Sequence, residues 1–217
     1  MSLTASDVID GGKQLSDMQN SNFVGEIVWL QWLNDARREL YDILVGRFED
    51  YFITQIDSTT TTDTIALPAD FYKLRGIDRD DKTVRSFPFI ERNSVDISSA
   101  TEGYYNRARY CMVGDQIILR PKDNAPATYK IWYIPKPVTI ASIGQSFDGM
   151  DGWESYLHCD IAIKALLKEE SDATGIMSLK QAIKDRIDMI AANRDAGEPQ
   201  RIADVQRQDI RLSIMGY

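Results

Sequence analysis

The sequence predicts an α+β fold: an α-helical bundle from N- and C-terminal helices, with an inserted antiparallel β-meander domain. Apolar residues recur at helical spacing over residues 23–46 and again over residues 153–193. Between them, residues 51–134 alternate short β-branched or aromatic runs with turn residues. The predicted division is a helical bundle of residues 1–47 and 148–198, a β domain of residues 48–147, and a C-terminal docking arm of residues 199–217.

The first long helix is predicted to begin after Asn22, because an asparagine side chain can accept a hydrogen bond from the free N–H groups of a helix start. Gly46 is the predicted end. The apolar stripe follows steps of three and four residues and consists of Trp29, Leu33, Ala36, Leu40, Ile43 and Leu44. For residues 1–20, a short helix and a loose arm are both compatible with the pattern.

The β domain is predicted from short runs separated by turn residues. Residues 51–56 read as a strand, and residues 64–67 read as its hairpin partner across a threonine-rich tip. Gly114-Asp115 predicts a second, tight hairpin because glycine accepts the positive φ of such a turn. Residues 128–134 form the clearest strand, which Pro135 stops. Four to six strands are expected in all, with a short helix at residues 91–98.

Two further helices are predicted near the C-terminus. Asp151 and Glu154 have the spacing of a capping box in front of the first. Gly175 is predicted to separate it from the second. The second helix carries a regular apolar stripe of Ile176, Leu179, Ile183, Ile187 and Ile190.

Composition favours a packed domain and argues against a protein that grips DNA. Of the 217 residues 43% are hydrophobic, and 25 Lys and Arg against 33 Asp and Glu give a net charge of −8. Phosphate neutralisation requires a basic face, whereas a wall that DNA slides past does not. Cys111 and Cys159 are predicted to be buried free thiols, with a single disulfide as the alternative. The chain shows neither a membrane-spanning run nor a signal-peptide pattern.

No combination of residues predicts catalysis, a cofactor or a metal. His158 is the single histidine, and its neighbours Cys159 and Asp160 are too close in sequence to share an ion with it on a helix. The acidic residues at 148, 151 and 154 lack the spacing of a calcium loop. We therefore predict that the protein is not an enzyme. A hydrolase with scattered carboxylates, and a single-strand binding module using Tyr104, Tyr105 and Tyr110, are the weaker alternatives.

The C-terminal arm alternates basic and apolar residues after Pro199. One interpretation is that it docks on another subunit or protein, by β-addition or in a groove. The other is that it packs on its own domain. The candidate docking residues are Arg201, Ile202, Val205, Arg207, Ile210, Arg211, Leu212 and Ile214.

Three stretches resemble head-to-tail adaptor (connector) proteins of tailed bacteriophages: residues 22–44, the LPADFYKL run of residues 67–74, and residues 114–121 followed by the strand of residues 129–133. The resemblance implies a homo-oligomeric ring of roughly twelve copies beneath the portal protein, with a tail protein as the other partner. DNA would be only a passenger in the channel. It also implies a virion protein that is assembled in the bacterial host cytoplasm. Such a chain can be a monomer in isolation. A tail-completion or minor tail protein is the alternative within this class.

Overall fold

The computed structural model describes residues 3–79, 82–91, 109–120, 127–146 and 152–191. Within these ranges the α-helices are α1 (Ala5–Leu15), α2 (Glu26–Arg47), α3 (Glu154–Lys168) and α4 (Thr174–Ala191). The strands are β1 (Thr54–Thr60), β2 (Thr64–Ala66), β3 (Phe71–Arg79), β4 (Lys82–Thr83), β5 (Arg85–Ser86), β6 (Arg109–Val113), β7 (Gln116–Arg120) and β8 (Ala127–Pro135). Two 3₁₀ turns, Glu49–Phe52 and Phe89–Glu91, complete the elements. The α+β class is confirmed.

The helix α3 lies at the centre of the helical part and contacts α1, α2 and α4. It is buried on most of its faces, which is the pattern of a helix surrounded by other elements. One apolar core joins all four described helices; its most deeply buried members include Val8, Leu33, Leu157 and Ile187.

The N-terminal residues form a true helix with a complete capping box. The Thr4 hydroxyl accepts from the Asp7 N–H, and the Asp7 carboxylate accepts in return from the Thr4 N–H at 3.0 Å. The Thr4 hydroxyl also donates to the Asp7 carboxylate at 2.6 Å, and this hydrogen bond, followed by the one from the Thr4 N–H, lowers the pKa of Asp7. Of the two alternatives for residues 1–20, a short helix and a loose arm, the structure therefore confirms the short helix, α1.

Helix boundaries differ from the prediction at four places. Gly25, and not Asn22, occupies the N-cap of α2, and no side chain caps that end; the helix then continues through Gly46 to Arg47. Trp153 is the N-cap of α3, where Glu154 accepts from the Gly152 N–H at 2.9 Å. Gly175 lies inside α4, which begins at Thr174. The N–H of Thr174 donates to the Asp172 carboxylate, which caps this end of the helix.

The strands form two four-stranded sheets, and neither is the predicted meander. Their orders are β1-β8-β3-β4 and β2-β7-β6-β5, so most neighbours are distant in sequence, and β5 pairs with β6 in parallel. The predicted pairing of β1 with β2 is wrong: β1 pairs with β8 over seven residues, and β2 pairs with β7. The threonine-rich turn carries the chain from one sheet to the other. The predicted strand at residues 51–56 starts only at Thr54, because a 3₁₀ turn precedes it.

Two local predictions in the β domain are confirmed. Gly114 has a φ of +61° in the tight turn between the antiparallel strands β6 and β7. The strand β8 covers the predicted residues 128–134 and buries alternate side chains, including Tyr129 and Ile131, in the sheet core. The short helix predicted at residues 91–98 and the loop at residues 121–126 lie outside the described residues.

Specific hydrogen bonds join the helices to the sheets. Tyr41 of α2 donates its hydroxyl to the carbonyl of Pro135 at 2.6 Å, at the end of β8. Asn34 exchanges two hydrogen bonds with the backbone of Ile140, of 2.8 and 3.0 Å. The carboxylate of Glu49 pairs with Lys73 and Arg75 of β3. These contacts hold α2 against β8 and the segment after it, and hold the 3₁₀ turn that follows α2 against β3. The exact domain boundaries stay a prediction.

Candidate functional site

The described residues contain no cluster of three or more histidine, cysteine, aspartate or glutamate side chains able to hold a metal ion. Cys111 and Cys159 are both free and buried, so the free-thiol prediction is confirmed. His158 is partly buried beside α1, and its Nε2 atom has no hydrogen-bond partner in the described part of the chain. Burial lowers the pKa of His158, although the charge of Glu154 opposes this.

The most concentrated group of charges holds the helices together. Lys180 of α4 lies 2.6 Å from the Asp160 carboxylate of α3 and 3.0 Å from both carboxylate oxygens of Glu39 on α2. Tyr156 donates its hydroxyl to Glu39 at 2.6 Å, and its ring lies 4.8 Å from the Lys180 ammonium. The second oxygen of Asp160 forms an ion pair with Lys164 at 2.7 Å. We call these five residues the helix-joining charge cluster.

Each buried charge in the helix-joining charge cluster has a partner of opposite sign. Burial by itself would lower the pKa of Lys180, but its hydrogen bonds to Asp160 and Glu39 outweigh this and raise it. Burial, followed by the hydrogen bond to Glu39, raises the pKa of Tyr156, which therefore remains a neutral donor. These hydrogen bonds and ion pairs connect side chains of three different helices. The cluster is a structural joint between α2, α3 and α4.

Sequence reasoning did not find this cluster. Tyr156, Asp160 and Lys164 follow one another at steps of four residues. This spacing predicts that they share a face of α3. Their partners were not readable, because Glu39 lies 141 residues from Lys180 and is brought to it only by the fold.

The apolar stripe of α4 is wider than its contact with the core. Ile187 is fully buried, and Ile176 and Ile183 are partly buried. Leu179 and Ile190, which lie three helical turns apart on one edge of the stripe, are 47% and 49% exposed. We call Leu179 and Ile190 the outer edge of α4. These two side chains extend the apolar stripe of α4 from the core to the surface.

Most of the residues predicted to bind a partner lie outside the described residues. This applies to the whole C-terminal arm, including Arg201, Ile202, Val205, Arg207, Ile210, Arg211, Leu212 and Ile214, and to Tyr104 and Tyr105. Tyr110 is described: it packs half-buried against the sheet core, and burial raises its pKa. Its role as a platform for bases stays a prediction.

None of the described helices is both long and apolar enough to cross a membrane. No curated protein matches the chain. The family model described as SU10 adaptor protein matches residues 3–208, which is almost the full sequence. Its span includes both helical parts, both sheets and the start of the C-terminal arm. The chain therefore belongs to the SU10 adaptor protein family, a family of structural head-to-tail adaptor proteins of tailed phages.

Proposed function

We propose that this protein forms a homo-oligomeric ring beneath the portal protein of a phage virion, between portal and tail, and that DNA passes through the ring. The observation that carries the proposal is the match to the adaptor family over residues 3–208. The function is mechanical, without a reaction of its own. Particle assembly takes place in the host cytoplasm, and the chain joins the particle there.

Ring formation needs contacts in which one face of a subunit meets a different face of the next. The outer edge of α4 is suited to one side of such a contact. Its two side chains are about half exposed, although they belong to the same stripe that packs on the core. Burying them against a neighbouring copy removes apolar surface from water, which stabilises the ring.

The helix-joining charge cluster supports this role for α4. It holds α4 against α2 and α3 through Lys180, whose side chain is only 19% exposed. A helix fixed in this way presents its outer edge in one orientation in every copy, so that the same contact can repeat around a ring.

The C-terminal arm is the proposed contact with the portal. Its eight docking residues combine arginines with isoleucine, leucine and valine. Such a segment gains affinity when its apolar residues become buried on a partner. The proposed state of the free chain is therefore a monomer, which assembles when the portal is present.

The acidic balance of the chain is compatible with a channel that DNA crosses without binding. A net charge of −8 repels the phosphate backbone at long range. Transient passage requires weak contact, whereas a DNA-binding protein would require a basic face.

The test uses the full chain, a chain lacking residues 200–217, and a Leu179→Gln/Ile190→Gln double variant. Each is mixed with the purified portal of the same phage and analysed by sedimentation velocity. The full chain is expected to join the portal, the truncated chain to stay monomeric, and the double variant to fold normally but fail to form complete rings. Val138→Gln is the matched control, because this valine is 69% exposed but lies outside α4.

Two outcomes would contradict separate parts of the proposal. Normal assembly of the truncated chain would refute the role of the arm. Normal assembly of the Leu179→Gln/Ile190→Gln variant would refute the role of α4 and leave that of the arm intact.

A further inference from the structure

We propose that α1 is a pH-sensitive latch: it is held against α3 while His158 is neutral and released when His158 takes up a proton. This device is independent of ring formation and of the portal. It concerns the N-terminal helix, to which the proposed function gives no role.

The latch is located where α1 and α3 approach most closely. A Cβ atom built at Gly11 would lie 2.6 Å from Nε2 of His158 and 2.7 Å from both Cδ2 and Cε1. A Cβ atom at Gly12 would lie 2.7 Å from Cγ2 of Ile161. The two glycines therefore allow an approach that side chains would prevent. The three imidazole atoms nearest Gly11 are those at the Nε2 end, so this end of the ring points at the backbone of α1.

This orientation favours the neutral imidazole. The Nε2 atom is buried and has no hydrogen-bond partner among the described residues. In the tautomer with hydrogen on Nδ1, its lone pair faces Gly11, which carries no polar side chain. Protonation would place a charged N–H group against Gly11, where the described part of the chain offers it no acceptor. A buried donor without an acceptor is unfavourable, and a buried charge is more so.

Among the residues that the structure describes, the charged groups of the surrounding elements do not compensate. On α3 itself, Glu154 favours the charged histidine, but desolvation outweighs it. The carboxylate of Asp7 on α1 is engaged by Thr4. The other charged residues of α1, Asp10 and Lys13, pair with each other at 3.5 Å. The described segment of residues 141–146, which also packs on α1, contains no charged residue, and Asp17 after α1 is exposed.

The sign of the effect follows from proton linkage. The ordinary pKa of histidine is 6.5, and burial lowers the pKa of His158 in the folded chain. The neutral contact therefore contributes fully to the stability of the docked α1 above pH 6.5. This stabilisation is lost as the pH falls from 6.5 towards the pKa of His158 in the folded chain. Backbone hydrogen bonds from Ala5 and Ser6 and buried apolar side chains also hold α1, and these groups do not titrate in this range.

Amide hydrogen exchange of the full chain at pH 7.5 and pH 5.5, corrected for the intrinsic exchange rate, tests the latch. At pH 5.5 we expect local opening of residues 5–15 to increase by up to about tenfold, because the pH is then one unit below 6.5. The amides of β8 serve as the internal reference and should keep their protection.

His158→Gln should abolish the pH dependence. Glu154→Gln should further lower the pKa of His158 in the folded chain, since it removes a carboxylate whose charge favours the protonated ring.

A second measurement is independent of the variants. His158 is the single histidine of the chain, so its ring gives one imidazole signal in NMR. A titration should place its pKa below 6.5. A pKa at or above this value, or equal protection of α1 at the two pH values in the wild-type chain, would overturn the proposal.

Discussion

Replacement of Lys180 by methionine removes the cation that Glu39 and Asp160 share, while the methionine keeps most of the apolar stem in place. Asp160 is only 5% exposed, so the loss leaves its buried carboxylate with Lys164 as its ion-pair partner at 2.7 Å. The contact of the ammonium with the Tyr156 ring, at 4.8 Å, is lost as well. The substitution therefore perturbs α2, α3 and α4 at their common joint.

The expected cost lies between two limits. Removal of one partner from a fully buried ion pair costs about 3–5 kcal/mol, whereas an exposed pair contributes about 0–1 kcal/mol. The Lys180 side chain is 19% exposed and that of Glu39 is 47% exposed, so the second interaction is largely screened. We expect a decrease of about 2–3 kcal/mol in the free energy of unfolding. This corresponds to a Tm lower by about 4–12 °C for a chain of this size.

Urea unfolding followed by circular dichroism measures this change. Arg38→Gln is the matched control: Arg38 pairs with Asp35 at 3.4 Å, and both side chains are more than half exposed. Its removal should cost less than about 0.5 kcal/mol. In an Asp160→Asn background, Lys180→Met should cost at least about 1 kcal/mol less than in the wild type. A loss for Lys180→Met no larger than that of the control would refute the role assigned to the charge cluster.

Three further predictions concern the cores and the hairpin. Leu33→Ala, at a fully buried position of α2, should lower the free energy of unfolding by about 2–5 kcal/mol in urea titrations; a loss below 1 kcal/mol would contradict the packing described. Gly114→Ala should cost about 1–2 kcal/mol in the same assay, solely because φ is +61° and no atom lies within 4 Å of the added Cβ. Cys111 and Cys159 should react with Ellman's reagent only after unfolding, since both are buried and free; rapid reaction of the native chain would be inconsistent with this.

Local patterns in the sequence were sufficient to predict several elements of the fold. The strand β8 combines β-branched and aromatic residues and stops at proline, and it forms where the pattern places it. Gly114-Asp115 fixes its hairpin through the backbone freedom of one residue. The capping box of Thr4 and Asp7 was also visible in the spacing, although it was not used to choose between a helix and a loose arm.

Contacts between distant residues could not be read in this way. The sequence order of β1 and β2 suggests a hairpin, but β1 is extended by its seven-residue pairing with β8, which is a non-local contact. The role of Gly11 depends on His158, which lies in another helix. The apolar stripe correctly predicted the helix α4 but not which of its residues face the core. That depends on where α2 and α3 pack against it.

The central claim is that this chain works by assembly. Electron microscopy of the full-length protein mixed with the portal of its phage tests it most directly. We expect ring-shaped density added to one end of the portal, with a continuous central channel and the same α4 contact between all neighbouring copies. A chain that remains monomeric at every portal concentration, or that attaches as single copies without closing a ring, would contradict it.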